Sequence, residues 1–166
     1  MVPTWRRVHD GRWIQELPQA DDRSHLLFPF FNEIGIISQL SGRLLESHLP
    51  DGFVLAHFTV LNHLTRLGDG RTPMSIATAL QVPKTSLTHT LAGLHKAELI
   101  RFEPNPKDNR SKCVMLTDAG RQFRETAIAN ISQDFGGFLK DFSMDEIEAA
   151  LPLLSRIRAH LDKARD

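Results

Sequence analysis

The chain has a single cysteine, Cys113, in 166 residues. One thiol excludes an intramolecular disulfide framework and any multi-cysteine zinc module. Long apolar runs are missing too: no window approaches the roughly 18 residues that a membrane-spanning helix needs. The first residues, Met1-Val2-Pro3-Thr4-Trp5-Arg6-Arg7, lack the apolar stretch of a secretory signal. These absences predict a soluble, cytoplasmic protein with no membrane partner. Net charge is absent as well, since 20 basic side chains meet 20 acidic ones, and that argues against a generic polyanion binder. No Gly-x-x-x-x-Gly-Lys, His-Glu-x-x-His, Gly-x-Ser-x-Gly or Gly-x-Gly-x-x-Gly run occurs, so no catalytic motif is in evidence. Eight histidines invite a metal, but His57/His63 and His89/His95 are six apart, not the three or four that share a helix face. The expectation is no metal, no cofactor and no enzyme.

What is present is a core. The 41% hydrophobic content is ordinary for a globular chain, and a domain of this size buries roughly 68–70% of its unfolded surface. Charge is uneven along it. Residues 54–120 carry eight basic and five acidic side chains, whereas 26–53 carry one and three. A nucleic-acid footprint therefore belongs to the middle of the chain and uses few contacts.

Residues 1–23 show no sustained period and read as an extension that packs on something else or stays mobile. From Phe28 to about Leu49 apolar residues recur at helical spacing (Ile34, Ile37, Leu40 or Ser41, Leu44, Leu45, Leu49), and Pro50-Asp51-Gly52 ends the run. Leu55 to Leu67 repeats the pattern until Gly68-Asp69-Gly70. Thr72-Pro73 reads as an N-cap hydroxyl followed by proline at the first helical position. The short helix behind it, with Ile76, Ala77 and Leu80, breaks at Val82-Pro83, because the residue before proline leaves the α region. A third helix follows at once, with Leu87, Leu91 and Leu94 inward. The period then changes to strand-like runs, Leu99–Glu103 and Lys112–Leu116. The polar stretch from Pro104 to Ser111 between them is too long for a two-residue turn and predicts a stiff projecting arm. Thr117 caps another helix, running to Gly136-Gly137 or on to Phe142. Ser143-x-x-Glu146 is a capping box opening a last helix with Ile147, Leu151, Leu154, Ile157 and Leu161 on one stripe.

Helix, helix, break, helix and hairpin, in that order, describe a winged helix-turn-helix. A major groove about 12 Å wide admits one helix, whose first turns reach base edges. The candidate reading helix turns Lys84, Thr85, Ser86, Thr88 and His89 outward, with Ala92 and His95 at its margin. A lysine in a first turn opposes the helix dipole at about 0.3–1 kcal/mol; a phosphate beside it reverses that sign. The other reading of Lys84 is a solvated surface cation.

Several stretches together resemble the MarR family of bacterial transcription regulators over roughly residues 28–164. They are Leu87-Thr88-His89-Thr90-Leu91, Leu94 through Ile100, Pro104-x-Pro106-x-Asp108-Asn109-Arg110 and Leu116-Thr117-Asp118-Ala119-Gly120. The resemblance implies a mainly α fold. Its winged helix-turn-helix, with a two-stranded β-wing, would be flanked by N- and C-terminal helices that form a helical dimerisation region. The chain then divides into an extension (1–23), a first dimerisation helix (24–53), the DNA-binding module (54–120) and C-terminal dimerisation helices (121–166). It further implies a homodimer on pseudo-palindromic double-stranded operator DNA, usually repressing, with half-sites about 34–36 Å apart. Arg110 would enter the minor groove, and Asp108 would pair with it and fix its direction. Two positions depart from the family pattern: Glu98 stands where glycine is usual, and His89 where arginine is frequent. His89 suggests altered base preference and some sensitivity to pH.

A small aromatic or amphipathic effector is also implied, in a cleft that Phe30, Phe31, Phe53 and His57 would line; core packing explains these residues as well. Cys113 alternates with Val114 and Leu116 along its strand, which predicts packing or a partly exposed thiol rather than a sensor. A competing reading keeps the winged helix as a protein-interaction module without DNA, supported by the zero net charge.

Overall fold

The computed structural model describes residues 4–11, 13–16 and 24–164. Its elements are strands β1 (Thr4–Arg7) and β2 (Trp13–Glu16), a 3-10 turn (Ser24–Leu26), and helices α1 (Leu27–Glu46), α2 (Leu55–Leu67), α3 (Pro73–Leu80) and α4 (Lys84–Lys96). Strands β3 (Ile100–Asn105) and β4 (Asp108–Leu116) follow, then α5 (Asp118–Phe138) and α6 (Met144–Lys163). The architecture is mainly helical, with a two-stranded antiparallel wing. Contacts divide the chain into Met1–Arg43 and Leu44–Asp166.

In the first unit, β1 and β2 pair antiparallel, with Trp5 opposite Gln15 and Arg6 opposite Ile14. The sequence reading of 1–23 as an extension named no strand here. Four-residue strands are too short to show a period. Their turn is set by Gly11, at φ +82°, whose N–H donates to the Val8 carbonyl at 2.9 Å. The parts of that reading on 1–3, 12 and 17–23 lie outside the described residues.

Among the described residues the core sits in the second unit, where Val60, Leu61, Leu64, Ile76, Leu87, Leu91, Leu94, Ile100, Val114 and Leu116 pack as one cluster. Helix α1 ends at Glu46, short of the expected Leu49. The Ser47 hydroxyl and His48 Nδ1 both approach the Leu44 carbonyl, at 2.7 and 2.8 Å, and such local bonds compete with the helix ladder. The Glu46 carboxylate instead accepts the Leu55 N–H at 2.6 Å, at the start of α2. The expected caps form: Thr72 accepts from the Ser75 N–H, Thr117 from that of Gly120, and Ser143 and Glu146 make the box.

The wing differs from its expected form. The turn is only Pro106-Lys107, with Asn105 opposite Asp108, not the eight-residue loop from Pro104 to Ser111. Side-chain chemistry closes it: the Asn105 carbonyl oxygen accepts the Lys107 N–H at 3.0 Å, an Asx turn that a count of polar residues does not reveal. Cys113 is buried, so its role is packing and its thiol is not a partly exposed one.

Candidate nucleic-acid interface

The turn between α3 and α4 rests on Gln81, which takes a left-handed φ of +53° and donates its N–H to the end of α3. Pro83 then starts α4 without any side-chain cap. Helix α4 buries Leu87, Thr90, Leu91 and Leu94. Lys84, Thr85, Ser86, Thr88 and His89 are all exposed, as are Ala92 and His95. Thr90 is the one polar residue on the inner face, and its hydroxyl donates to the Ser86 carbonyl at 3.1 Å. The outward row thus offers a cation, hydroxyls and an imidazole on one rigid rod, beside the free N–H groups of an uncapped first turn. Such a surface suits hydrogen bonding to phosphate and base edges.

Helix α4 is held from behind by His57. A Cβ added at Gly93 would lie 2.8 Å from His57 Nε2, so only glycine admits the imidazole there. His57 Nδ1 accepts the Val54 N–H at 3.1 Å, which assigns the ring proton to Nε2. Burial lowers the His57 pKa below 6.5, and the neighbouring His89 lowers it further. His57 also meets Phe53 edge-on at 5.4 Å, and Phe53 lies 4.6 Å from Phe123. The structure thus brings two of the four residues named for an effector, Phe53 and His57, into one aromatic cluster. Phe30 and Phe31 meet each other at 5.5 Å on α1, in the first unit. A cavity of about 320 Å³ in the second unit is lined by His48, Pro50, Leu99, Phe123, Asn130 and neighbours.

The register of β3 and β4 jumps from Pro104 opposite Lys112 to Asn105 opposite Asp108. Asn109, Arg110 and Ser111 therefore bulge outward without ladder partners. Arg110 is exposed at this bulge. Asp108 is bonded to it, but through the backbone. Its Oδ1 accepts the Arg110 N–H at 3.0 Å, in place of the expected pairing with Arg110. A carboxylate two residues back reaches the amide without ordering the long arginine side chain, so the local bond wins.

Other positioning residues escaped the sequence reading. Asp69 Oδ2 accepts the Leu116 N–H at 3.3 Å and the Arg121 guanidinium at 3.1 Å, tying the root of the wing to α5. Gly120 lies under the Leu99 carbonyl, where a Cβ would approach the oxygen to 2.1 Å. A glycine three residues after a capping threonine was the available signal for the second. Glu98 takes φ +59°, so the left-handed turn expected of glycine forms with glutamate. Among the described residues, no cluster of histidine, cysteine and carboxylates is placed to hold a metal ion, and no helix is long and apolar enough to cross a membrane.

Comparison with known proteins agrees with this geometry. Residues 52–111 match the model of the MarR family. The transcriptional activatory protein BadR of Rhodopseudomonas palustris is 24% identical over 146 residues, covering 86% of this chain and 82% of BadR. The HTH-type transcriptional regulator PecS of Dickeya dadantii is 28% identical over 153 residues, 90% of each chain. Apo MarR from E. coli superposes with a TM-score of 0.66 at 28% identity, over 76% of this chain and 94% of MarR. A cysteine-to-serine mutant of E. coli MarR bound to operator DNA gives 0.63 at 28% identity, over 83% and 99%. In the segment that matches the family model and in overall fold, the chain is similar to the MarR family of winged-helix transcriptional regulators.

Proposed function

We propose that the protein is a homodimeric, sequence-specific DNA-binding repressor on pseudo-palindromic operators. Lys84, Thr85, Ser86, Thr88 and His89 of α4 read the major groove, and Arg110 enters the minor groove beside it. The observation that carries this reading is the exposed polar row of α4, presented by an uncapped helix start, together with the exposed Arg110 in the bulge of the wing. Arginine is the usual cation of narrow, electronegative minor grooves. E. coli MarR, similar in fold, has been captured with operator DNA, which supports the same partner here.

The second copy is inferred from what one chain leaves uncovered. Phe135, Phe138, Leu139 and Phe142 on and after α5, with Leu151, Leu154 and Leu161 on α6, are between 42% and 54% exposed. Apolar rows of this extent mark association surfaces. The flanking segments 24–53 and 121–166 supply the dimer, and 54–120 the DNA module. Two copies double a local excess of three positive charges while the whole particle stays neutral. The protein acts in the cytoplasm, where its operator lies. An amphipathic effector entering the cavity beside His48, Leu99 and Phe123, near Phe53 and His57, modulates binding.

The test is selection of bound duplex from a random pool, followed by titration with salt. Contacts to several phosphates give a steep negative slope of log affinity against log salt; a flat slope favours a protein-interaction module instead. Arg110→Ala is expected to weaken operator binding by about 5- to 150-fold with an unchanged melting temperature. Undiminished binding by that variant removes the wing from the reading. Transcription from the operator should rise on deletion of the protein; a fall makes it an activator.

A further inference from the structure

We propose that Asn105 is a positioning residue for Arg110, setting the direction of the wing tip before DNA arrives. The inference rests on the assignment of Arg110 to the minor groove. Its basis is a directed chain of bonds across the bulge. The Asn105 carbonyl oxygen accepts the Lys107 N–H at 3.0 Å, and its amide nitrogen donates to the Ser111 hydroxyl at 2.9 Å. Ser111 in turn donates to the Asp108 carbonyl at 3.2 Å, and Asp108 Oδ1 accepts the Arg110 N–H at 3.0 Å.

Arg110 lies inside that loop of bonds, between Asp108 and Ser111. The residues from Pro106 to Arg110 are exposed, whereas Asn105 is half-buried, so the tip is anchored from its inner end. The register jump deprives Asn109, Arg110 and Ser111 of ladder partners. Without side-chain ties, nothing in the strand pairing fixes the bulge. Asparagine is suited to the task because one planar group carries both an acceptor and a donor. Aspartate keeps only the bond to Lys107, and alanine keeps neither. A preset backbone lets arginine enter a groove with less conformational freedom left to lose.

The experiment uses the full chain and an operator duplex recovered by selection from a random pool. Affinity is measured at one salt concentration for the parent, Asn105→Ala, Arg110→Ala and the double variant. Asn105→Ala is expected to weaken binding by about five- to tenfold, equivalent to ordering one long side chain. In the Arg110→Ala background the same change should cost less than about twofold, since the two act through one contact. Ser111→Ala should reproduce the loss, and adding it to Asn105→Ala should deepen it no further. Melting temperatures of all variants should agree with the parent.

Equal losses with and without Arg110, or no loss in the parent background, overturn the positioning role. A Ser111→Ala variant that binds like the parent does so too, because the chain is then unnecessary. If Arg110→Ala itself binds normally, the wing assignment fails first. That result is distinct from a functional Arg110 that ignores Asn105.

Discussion

The winged-helix body and the two long helices α1 and α6 treat their leucines in opposite ways. Helices α2 and α4 bury Leu61, Leu64, Leu87, Leu91 and Leu94 against each other and the wing. Helices α1 and α6, each 20 residues long, bury none of theirs. Both kinds of helix show apolar residues at helical spacing, so the same pattern serves two ends. In the body it closes a core within one chain. In α6 it remains facing outward, so that element's stability is tied to association.

The contrast is broken most severely at α6. Leu154→Glu, at a site 45% exposed, is expected to turn a dimer into monomers in sedimentation. Operator affinity should then drop by about a hundredfold or more, because two half-site contacts no longer act together. A dimer that persists contradicts the proposed use of α6. Leu61→Ala is the counterpart in the body. Leu61 is fully buried, so denaturant unfolding should show a loss of about 3–5 kcal/mol, with the self-association of folded protein retained.

A smaller effect follows acid. His63 is buried in α2 with Nε2 lacking a partner, and burial, then Arg71 and Arg66, lower its pKa from 6.5. His57 is lowered too, by burial and then His89. The folded body therefore disfavours both imidazolium ions, and the unfolded chain takes up protons first. Stability is complete above 6.5 and falls as pH drops through that value toward the lower folded pKa values. Urea midpoints at pH 7.5 and 5.5 should differ in that direction, and His63→Leu should flatten the difference. The mildest change sharpens the body further. Glu98 holds φ +59°, so Glu98→Gly should stabilise by about 0.5–1 kcal/mol in the same assay.

The body was the more legible half. Leucine spacing, Thr72-Pro73 and Val82-Pro83 define α2, α3 and α4 in the sequence, since helix period and caps act over a few residues. Lys84, Thr85, Ser86, Thr88 and His89 emerge on the outer face because the inner stripe is unambiguous. The wing tip was less legible. An asparagine that closes a two-residue turn and a bulge of three residues look, in sequence, like a long polar loop. His57 against Gly93 was hidden for another reason: the two are 36 positions apart, and their contact exists only once α2 and α4 pack. The hairpin of β1 and β2 is too short for its alternation to register.

The carboxylate of Asp69 holds the last residue of β4 and the first turns of α5 together. Helix α5 is 21 residues long in all, a rod of about 30 Å. A tilt of α5 therefore pulls on the root of the arginine-bearing arm through this one carboxylate. Along such a lever a rotation of five degrees sweeps about 2.5 Å, close to the width of a single hydrogen bond.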